Sequence, residues 1–599
     1  METPDNIVFS QALQSDGLSD ASPFVKRELL YIQDNNGSGN YASNQVIFDA
    51  SVFSNNGKLN NWQEAKILIP CVIPVTCRTG DVSWDNSAIT NTDFMVALKN
   101  CNTSLLHSYS IDFGNSNVIN QTQHINMYHA FKFNTELDGD EEELLGAEIG
   151  YAKDTADSWQ YRSAHSALGT GLLNNANAYL GSVKNSATSA DSSVANTGML
   201  KRQENAWRRC GVNTLVDDGK SLVLGGNETT HFRNQAINYV TNNNSGTTKY
   251  KCYYYTAVIR LKDLQFFSSP DFPKLMRNAY FKLTLNINQV FFEFTKPADG
   301  TIRFQSSSLQ LTTGGTNPLM VAASYVTAAA GSGTLITQAT AAARLTPCGS
   351  ACVPASDANG TYQMSLSVCR PIFTHIANNV NITSAIQPHV LSSCRLYVPA
   401  YTLQPQKEAQ LLAVRQRQIK FTDIVPYTIY NAIGSFSSII TSGVARAKRL
   451  IIVPVMSEAS NAQETGAFSD IQSPFSTSPS TTCPTLINNF QVMVGGVPLY
   501  PQPINYSFEN FFTEMTNTSA GGMIVDHLVA GRISMRDYIS GMYSYYVVDL
   551  KRRAVEDENT LVSVQVQGTL VSAKAVHLFC FIEYEKALVC DIATGQRLT

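Results

Sequence analysis

The chain has 599 residues and a net charge of −4, with 44% of residues hydrophobic and only 15% charged. That length exceeds one ordinary domain and predicts roughly two to four compact units with sizeable cores. The near-balanced charge excludes a chain that binds nucleic acid through its charge as a whole. Asn, Ser, Thr and Gln, rather than Glu and Lys, carry the polarity, which suits β-sheets with long polar loops better than solvent-exposed helices.

Residues 1–26 are polar and irregular and predict an N-terminal arm. They lack the basic start and apolar core of an export signal. Lys66 to Val75 is apolar on both faces and reads as a strand buried in the middle of a sheet. Interrupted by Pro70 and Pro74, it is too short to span a bilayer. Asp93 to Lys99 predicts a short helix. Met127, Phe131 and Phe133 share a face with His129 in an alternating, strand-like run. On such a strand His124 would point to the opposite face. Asp140 to Leu145 predicts the start of a helix, since acidic residues suit a helix N-terminus.

From about 138 to 250 the chain is rich in Ala, Asn, Ser and Gly and reads as an elaborate surface insertion. A second loop, rich in Gly, Thr and Ala, runs from about 298 to 358. Between them Phe281, Leu283, Leu285 and Ile287 alternate with Lys282, Thr284 and Asn286, the pattern of a strand with one buried face. These residues fall in a first β unit spanning 27–373.

Residues 374–390 look like a connection, so that 374–599 comprise the connection and a second β unit. Lys407 to Arg415 is a candidate helix. Arg449 to Met456 and Ala575 to Ile582 are apolar on both faces, like Lys66 to Val75. Gly495 and Gly496 suit a tight turn between paired strands. Phe508, Phe511, Phe512 and Met515 follow helical spacing, with Ser507 placed to cap. Val562, Val564 and Val566 alternate with polar residues. Ala65 to Pro70 resembles Ala447 to Pro454, allowing a gap, as two related sandwiches would require. The chain reads as mainly β, with helices confined to connections.

No catalytic, cofactor or metal set emerges. There is no CxxC, HExxH or GxSxG pattern. Cys348 and Cys352 have no nearby His, and Gly331 to Thr334 lacks the lysine of a phosphate-cradling loop. Asp138, Asp140, Glu141, Glu142 and Glu143 miss the calcium-loop spacing. Cys71, Cys101, Cys252, Cys369, Cys394, Cys580 and Cys590 sit mostly among apolar or β-branched neighbours, as buried thiols made in a reducing compartment do. Glu583 and Glu585, two apart on one strand face, have Cα atoms about 6.6 Å apart. That is within reach of a paired-carboxylate glycosidase site, whose carboxyl groups sit about 5 to 9.5 Å apart. The simpler reading is a strand emerging into solvent. Arg446, Lys448 and Arg449, and Lys551, Arg552 and Arg553, form basic groups that suit solvated loops or weak, sequence-independent contact with nucleic acid.

Several stretches resemble one protein family in order along the chain. Tyr31 to Ser38, Asn44 to Asp49 and Ser54 to Lys58 resemble its opening strands. Cys394 to Pro399 and Asn488 to Gly496 resemble the opening and middle of its second half, and Tyr545 to Leu550 and Phe579 to Glu585 its end. The family is the double jelly-roll major capsid proteins of polinton-like viruses and their virophage and adintovirus relatives. The resemblance implies two consecutive eight-stranded jelly rolls, a homotrimer whose six jelly rolls imitate a hexagon, and capsomers tiling an icosahedral shell around a DNA genome. It implies a structural protein of the virion, assembled inside the host cell and not an enzyme. Its partners would be further copies of itself, with penton and minor or cement proteins. The two insertions would form an outward tower, and the arm would lie inside. The alternative from a different class is a carbohydrate-binding or glycoside-hydrolysing β-sandwich using Glu583 and Glu585. A viral spike or fibre is a third reading, but it would require repeats or a stalk pattern.

Overall fold

A computed structural model describes residues 23–598 apart from 80–93, 164–178, 184–201, 203–236, 241–249, 325–344, 348–359, 518–532, 552–558 and breaks of six residues or fewer. The strands needed below are β1 (Phe24–Gln33), β2 (Gln45–Asp49), β3 (Lys66–Thr79), β4 (Phe94–Leu98), β5 (Leu106–Phe113), β6 (Ser116–Ile119), β7 (Tyr250–Arg260) and β8 (Phe281–Ile287). They continue with β9 (Val290–Lys296), β10 (Leu319–Ser324), β11 (Gly360–Val368) and β12 (Arg395–Leu403). The second half contributes β13 (Gln416–Ala432), β14 (Gly434–Val444), β15 (Ala447–Met456), β16 (Ile487–Val494), β17 (Val497–Pro498), β18 (Tyr546–Asp549), β19 (Val562–Leu570) and β20 (Val576–Asp591). Helices are α1 (Ile125–Glu136), α2 (Gly139–Ile149), α3 (Pro405–Ala413) and α4 (Phe508–Asn517).

Two four-stranded sheets form the second half, in the orders β13–β20–β15–β18 and β14–β19–β16–β17. Consecutive strands alternate between the two sheets except β16 and β17, which pair as neighbours in the second sheet, and the result is an eight-stranded jelly roll. The first half repeats this order. One sheet runs β2–β8–β5–β6, and the other contains β1–β12–β3–β7. The chain is therefore a double jelly roll. The runs read as apolar on both faces become β3, β15 and β20, each flanked by strands on both sides.

Arg395–Leu403, which the resemblance placed at the opening of the second half, pairs with β1 along its length and with Lys66–Leu68 of β3. The rest of that β3 edge, from Cys71 to Thr79, is taken by β11, which extends the sheet through β9. Cys369 and Cys394 thus follow one another along one edge, at the two ends of a looped-out excursion.

Two local expectations fail. Asp93 to Lys99 is not helical: Phe94–Leu98 is strand β4, antiparallel to β10, because pairing to a distant strand overrides the weak preferences of five residues. The run around Met127 to Phe133 is not a strand but helix α1. Ten of its twelve residues are buried, so it has no polar face to display a helical period. The helices expected over Lys407–Arg415, Asp140–Leu145 and Phe508–Met515 are present as α3, α2 and α4.

The antiparallel pairing fixes where connections lie. β1 and β3 run one way, β12 and β7 the other. The connections leaving β3 (80–105), entering β7 (120–249) and entering β12 (288–394) therefore all lie at one end. Those entering β3 (50–65) and leaving β7 (261–280) lie at the other end, where β1 also begins. The second half has the same polarity, with its longer connections at 457–486 and 499–545.

Candidate assembly surfaces and the seam between the units

Helix α1 lies between the two jelly rolls. Tyr128 donates its hydroxyl hydrogen to Glu583 Oε1 on β20 at 2.7 Å. Phe131 packs edge-on to Tyr545 at 5.0 Å. Asn134 Nδ2 donates to the Ser480 carbonyl at 2.8 Å and accepts at Oδ1 from Tyr151 at 3.0 Å. Around it the long connections of the two halves meet. Lys99 Nζ, fully buried, donates to the Ser473 carbonyl at 2.6 Å. Asn317 N donates to the Ile471 carbonyl at 2.8 Å, and Lys153 pairs with Asp537 at 2.9 Å. Both insertion-bearing ends therefore face the same way. Near the opposite end Phe266, beside Phe113 and Phe281, meets Phe421 of β13 edge-on at 5.1 Å.

Of the two carboxylates, Glu583 does not emerge into solvent with its strand but sits in this seam, where it is already paired. Glu583 is buried and receives Arg449 Nε at 2.5 Å, Arg449 Nη2 at 2.9 Å and the Tyr128 hydroxyl. Burial pushes its carboxyl up, but the Arg449 charge and these three hydrogen bonds outweigh that and hold it below the ordinary carboxylate value. A glycosidase acid requires the reverse shift. Glu585 pairs separately with Lys448 at 3.2 Å. The basic group Arg446, Lys448 and Arg449 is thus mostly neutralised within the fold, while Arg446 Nε donates to Asn559 at 2.8 Å. Arg552 and Arg553 lie outside the described residues.

His124 precedes α1 in a left-handed conformation (φ 55°) and His129 lies within it, so neither stands on a strand. His124 meets His107 of β5 edge-on at 5.2 Å and Phe579 of β20 at 5.0 Å. Burial pushes the His124 imidazole down to about 4, with His107 adding to the effect, and the His129 imidazole down to about 3. Sequence reasoning missed this row because it assigned a period of two to α1. Asp138, Cys348, Cys352 and the Gly331–Thr334 loop lie outside the described residues. Gly495 and Gly496, at φ +60° and +81°, form the expected turn between β16 and β17. Cys71, Cys101, Cys369, Cys394, Cys580 and Cys590 are free and buried, as is Cys483.

The outward surfaces carry the unspent apolar area. On β1, Val25 is 65% exposed, Leu29 64% and Tyr31 56%. Phe24 packs on Tyr401 at 5.1 Å and Tyr31 on Tyr397 at 5.8 Å, with Arg27 over the Tyr401 ring and Arg395 over the Tyr31 ring. This strip borders an open groove of about 570 Å³ lined by Arg27, Leu29, Lys66, Glu148, Arg260 and Tyr397. In the second jelly roll, Tyr427, Tyr430, Ile433 and Ile439 are exposed where β13 turns into β14. Tyrosine and arginine beside aliphatic side chains is the composition of protein–protein contact surfaces. Among the described residues no helix is long and apolar enough to cross a membrane.

The strand order and these two surfaces define the class, a double jelly roll with its longer connections at one end, shorter ones at the other and apolar flanks. Structures similar to this chain include that of the Sputnik virophage by cryo-electron microscopy, at 12% identity, covering 96% of this chain and 88% of that one, with a TM-score of 0.45. The mavirus major capsid protein is similar at 10% identity, 95% and 89% coverage and a TM-score of 0.40. The Faustovirus major capsid protein is similar at 10% identity, 99% and 95% coverage and a TM-score of 0.40. No family model matches the sequence, and no curated protein matches it.

Proposed function

We propose that this chain is the major capsid protein of an icosahedral DNA virus, a structural subunit that assembles as a homotrimer. The observation that carries the reading is the repetition of one jelly-roll order twice in a chain, with the long connections of both copies leaving at one end. Three such chains supply six similar sandwiches, enough to imitate a hexagon and tile a shell through heterologous contacts. The strip on β1 and β12 and the exposed Tyr427, Tyr430, Ile433 and Ile439 are the surfaces we assign to those contacts. Long connections at one end and shorter ones at the other suit a wall with an outside and an inside. The insertions at 138–250 and 298–358 belong outside, where variable polar surface is tolerated. The expected arm gives up its last residues, Phe24 to Lys26, to β1; the part before them leads into β1 at the opposite end and belongs inside, with penton and minor proteins as further partners. Contact with packaged DNA would be weak and sequence-independent. We divide the chain into that arm, a first jelly roll and, after the excursion and α3, a second. The occupied state of Glu583 gives the glycosidase alternative no support.

The test is the solution mass of the purified protein with negative-stain images of the same fraction. The expected species is three times 65.5 kDa with hexagonal outlines, or closed shells. A monomer of ordinary globular shape at every concentration tried would overturn the reading.

A further inference from the structure

We propose that the seam between the two jelly rolls is an acid-operated latch, in which His107, His124 and His129 hold α1 closed while neutral and release it when protonated. The three side chains come from β5 and from α1 and its cap, and His124 meets the second jelly roll at Phe579. His107 and His124 have ring centroids 5.2 Å apart, and His124 lies 5.0 Å from Phe579. His129 packs against Tyr109, Tyr128 and Phe133 at 6.0 to 6.3 Å. It has no solvent exposure. Nδ1 of His107, Nδ1 of His124 and both ring nitrogens of His129 have no hydrogen-bond partner among the described residues. A proton added to any of them therefore places a charge in an apolar site without an acceptor, and charging both His107 and His124 sets two cations against each other.

Other titratable and charged groups surround α1. Lys132 and Glu136 lie on it, with Arg449 on β15 and Glu583 and His577 on β20. Arg260 and Asp263 form a pair after β7, and Asp423 and Lys586 pair beside Tyr584. Lys132 opposes a charge on His129. Glu136, whose carboxyl is pushed up by burial, works in the opposite sense and softens the response. Glu583 is held down by Arg449, so it stays ionised through the range in which the imidazoles respond.

The sign follows from linkage. Each imidazole has a folded value below its free value of 6.5. Its stabilising contribution is present above 6.5 and falls away as pH drops toward the folded values. Exposing His124 and His129, the two held furthest down, takes up about two protons, so the opening equilibrium rises by up to about 100-fold per pH unit within that window, and His107 adds in the same sense.

Hydrogen–deuterium exchange of peptides covering 124–136, corrected for intrinsic rates and run from pH 7.5 to 4.5 on the full chain, reads this directly. The expected result is steep loss of protection below 6.5, with the slope reduced by about tenfold per pH unit in His129→Gln or His124→Asn. Asn tolerates the left-handed conformation at 124. Protection unchanged down to pH 4.5 overturns the proposal, as does a loss that Glu583→Gln abolishes and the histidine variants do not. C2-proton exchange of the wild-type imidazoles supplies a second reading that needs no variant, and values near 6.5 for all three would refute the latch. The exchange assay works on monomer or trimer alike, so its failure is separate from failure of the capsid reading.

Discussion

Replacing Glu583 by Gln tests whether the seam is held by charge. The carboxylate accepts two hydrogen bonds from Arg449 and one from Tyr128 while fully enclosed. Gln keeps the shape but takes away the close counter-ion of the buried guanidinium, leaving only Glu136 at 3.9 Å, a loss of about 3–5 kcal/mol. In a cooperative unit of this size each kcal/mol lowers the midpoint by about 2–4 °C, so the first calorimetric transition at pH 7.5 falls by about 6–20 °C. The effect depends on pH in a defined direction. Glu583 has its folded value below the ordinary 4.5, so the pair's contribution is present above 4.5 and fades as pH falls through the folded value. Wild type and variant therefore converge in acid. The double change Arg449→Met with Glu583→Leu removes both charges and should recover most of the loss. A shift below 2 °C for Glu583→Gln, or a double variant no better than the single, would show that the charges contribute little to the seam.

Asn134→Ala removes a side chain that bridges Ser480, Tyr545 and Tyr151; it should cost about 2–3 kcal/mol, read as a lower denaturant midpoint for the same transition. Gly568→Ala sets a Cβ 2.5 Å from Ile487 Cγ2 inside the second jelly roll, and calorimetry should register about 1–3 kcal/mol of overpacking. Tyr430→Ser with Ile433→Ser removes exposed apolar area, so stability should change by less than about 0.5 kcal/mol while the trimer fraction in native mass spectra falls sharply; an unchanged fraction would move the contact surface elsewhere.

Strand identity was legible wherever one face was buried or both were: β8 and β19 showed their alternation, and β3, β15 and β20 their unbroken apolar runs. The helices α3 and α4 showed through spacing and capping. What failed shares one cause, since α1 and β4 take their form from distant partners. A helix enclosed on all sides loses the polar stripe that announces it, and a five-residue strand depends on β10, more than 200 positions away. The seam was hidden for the same reason. Glu583 was visible as an acid, but Arg449 and Tyr128 reach it from two other elements. The place of Arg395–Leu403 beside β1 was equally out of reach, because the excursion before it obscures which sheet it completes.

The one-ended layout of the connections bears on how the molecule tolerates foreign sequence. Ser324 ends β10 directly opposite Leu345, across one antiparallel pair. A peptide grafted between these two positions begins and finishes at neighbouring points on the end with the longer connections, so its length adds little strain to either sandwich. It also stays away from the flanks assigned to neighbouring copies. On an assembled shell such a graft would repeat once per chain on the same side, making this site an address for antigen or enzyme display.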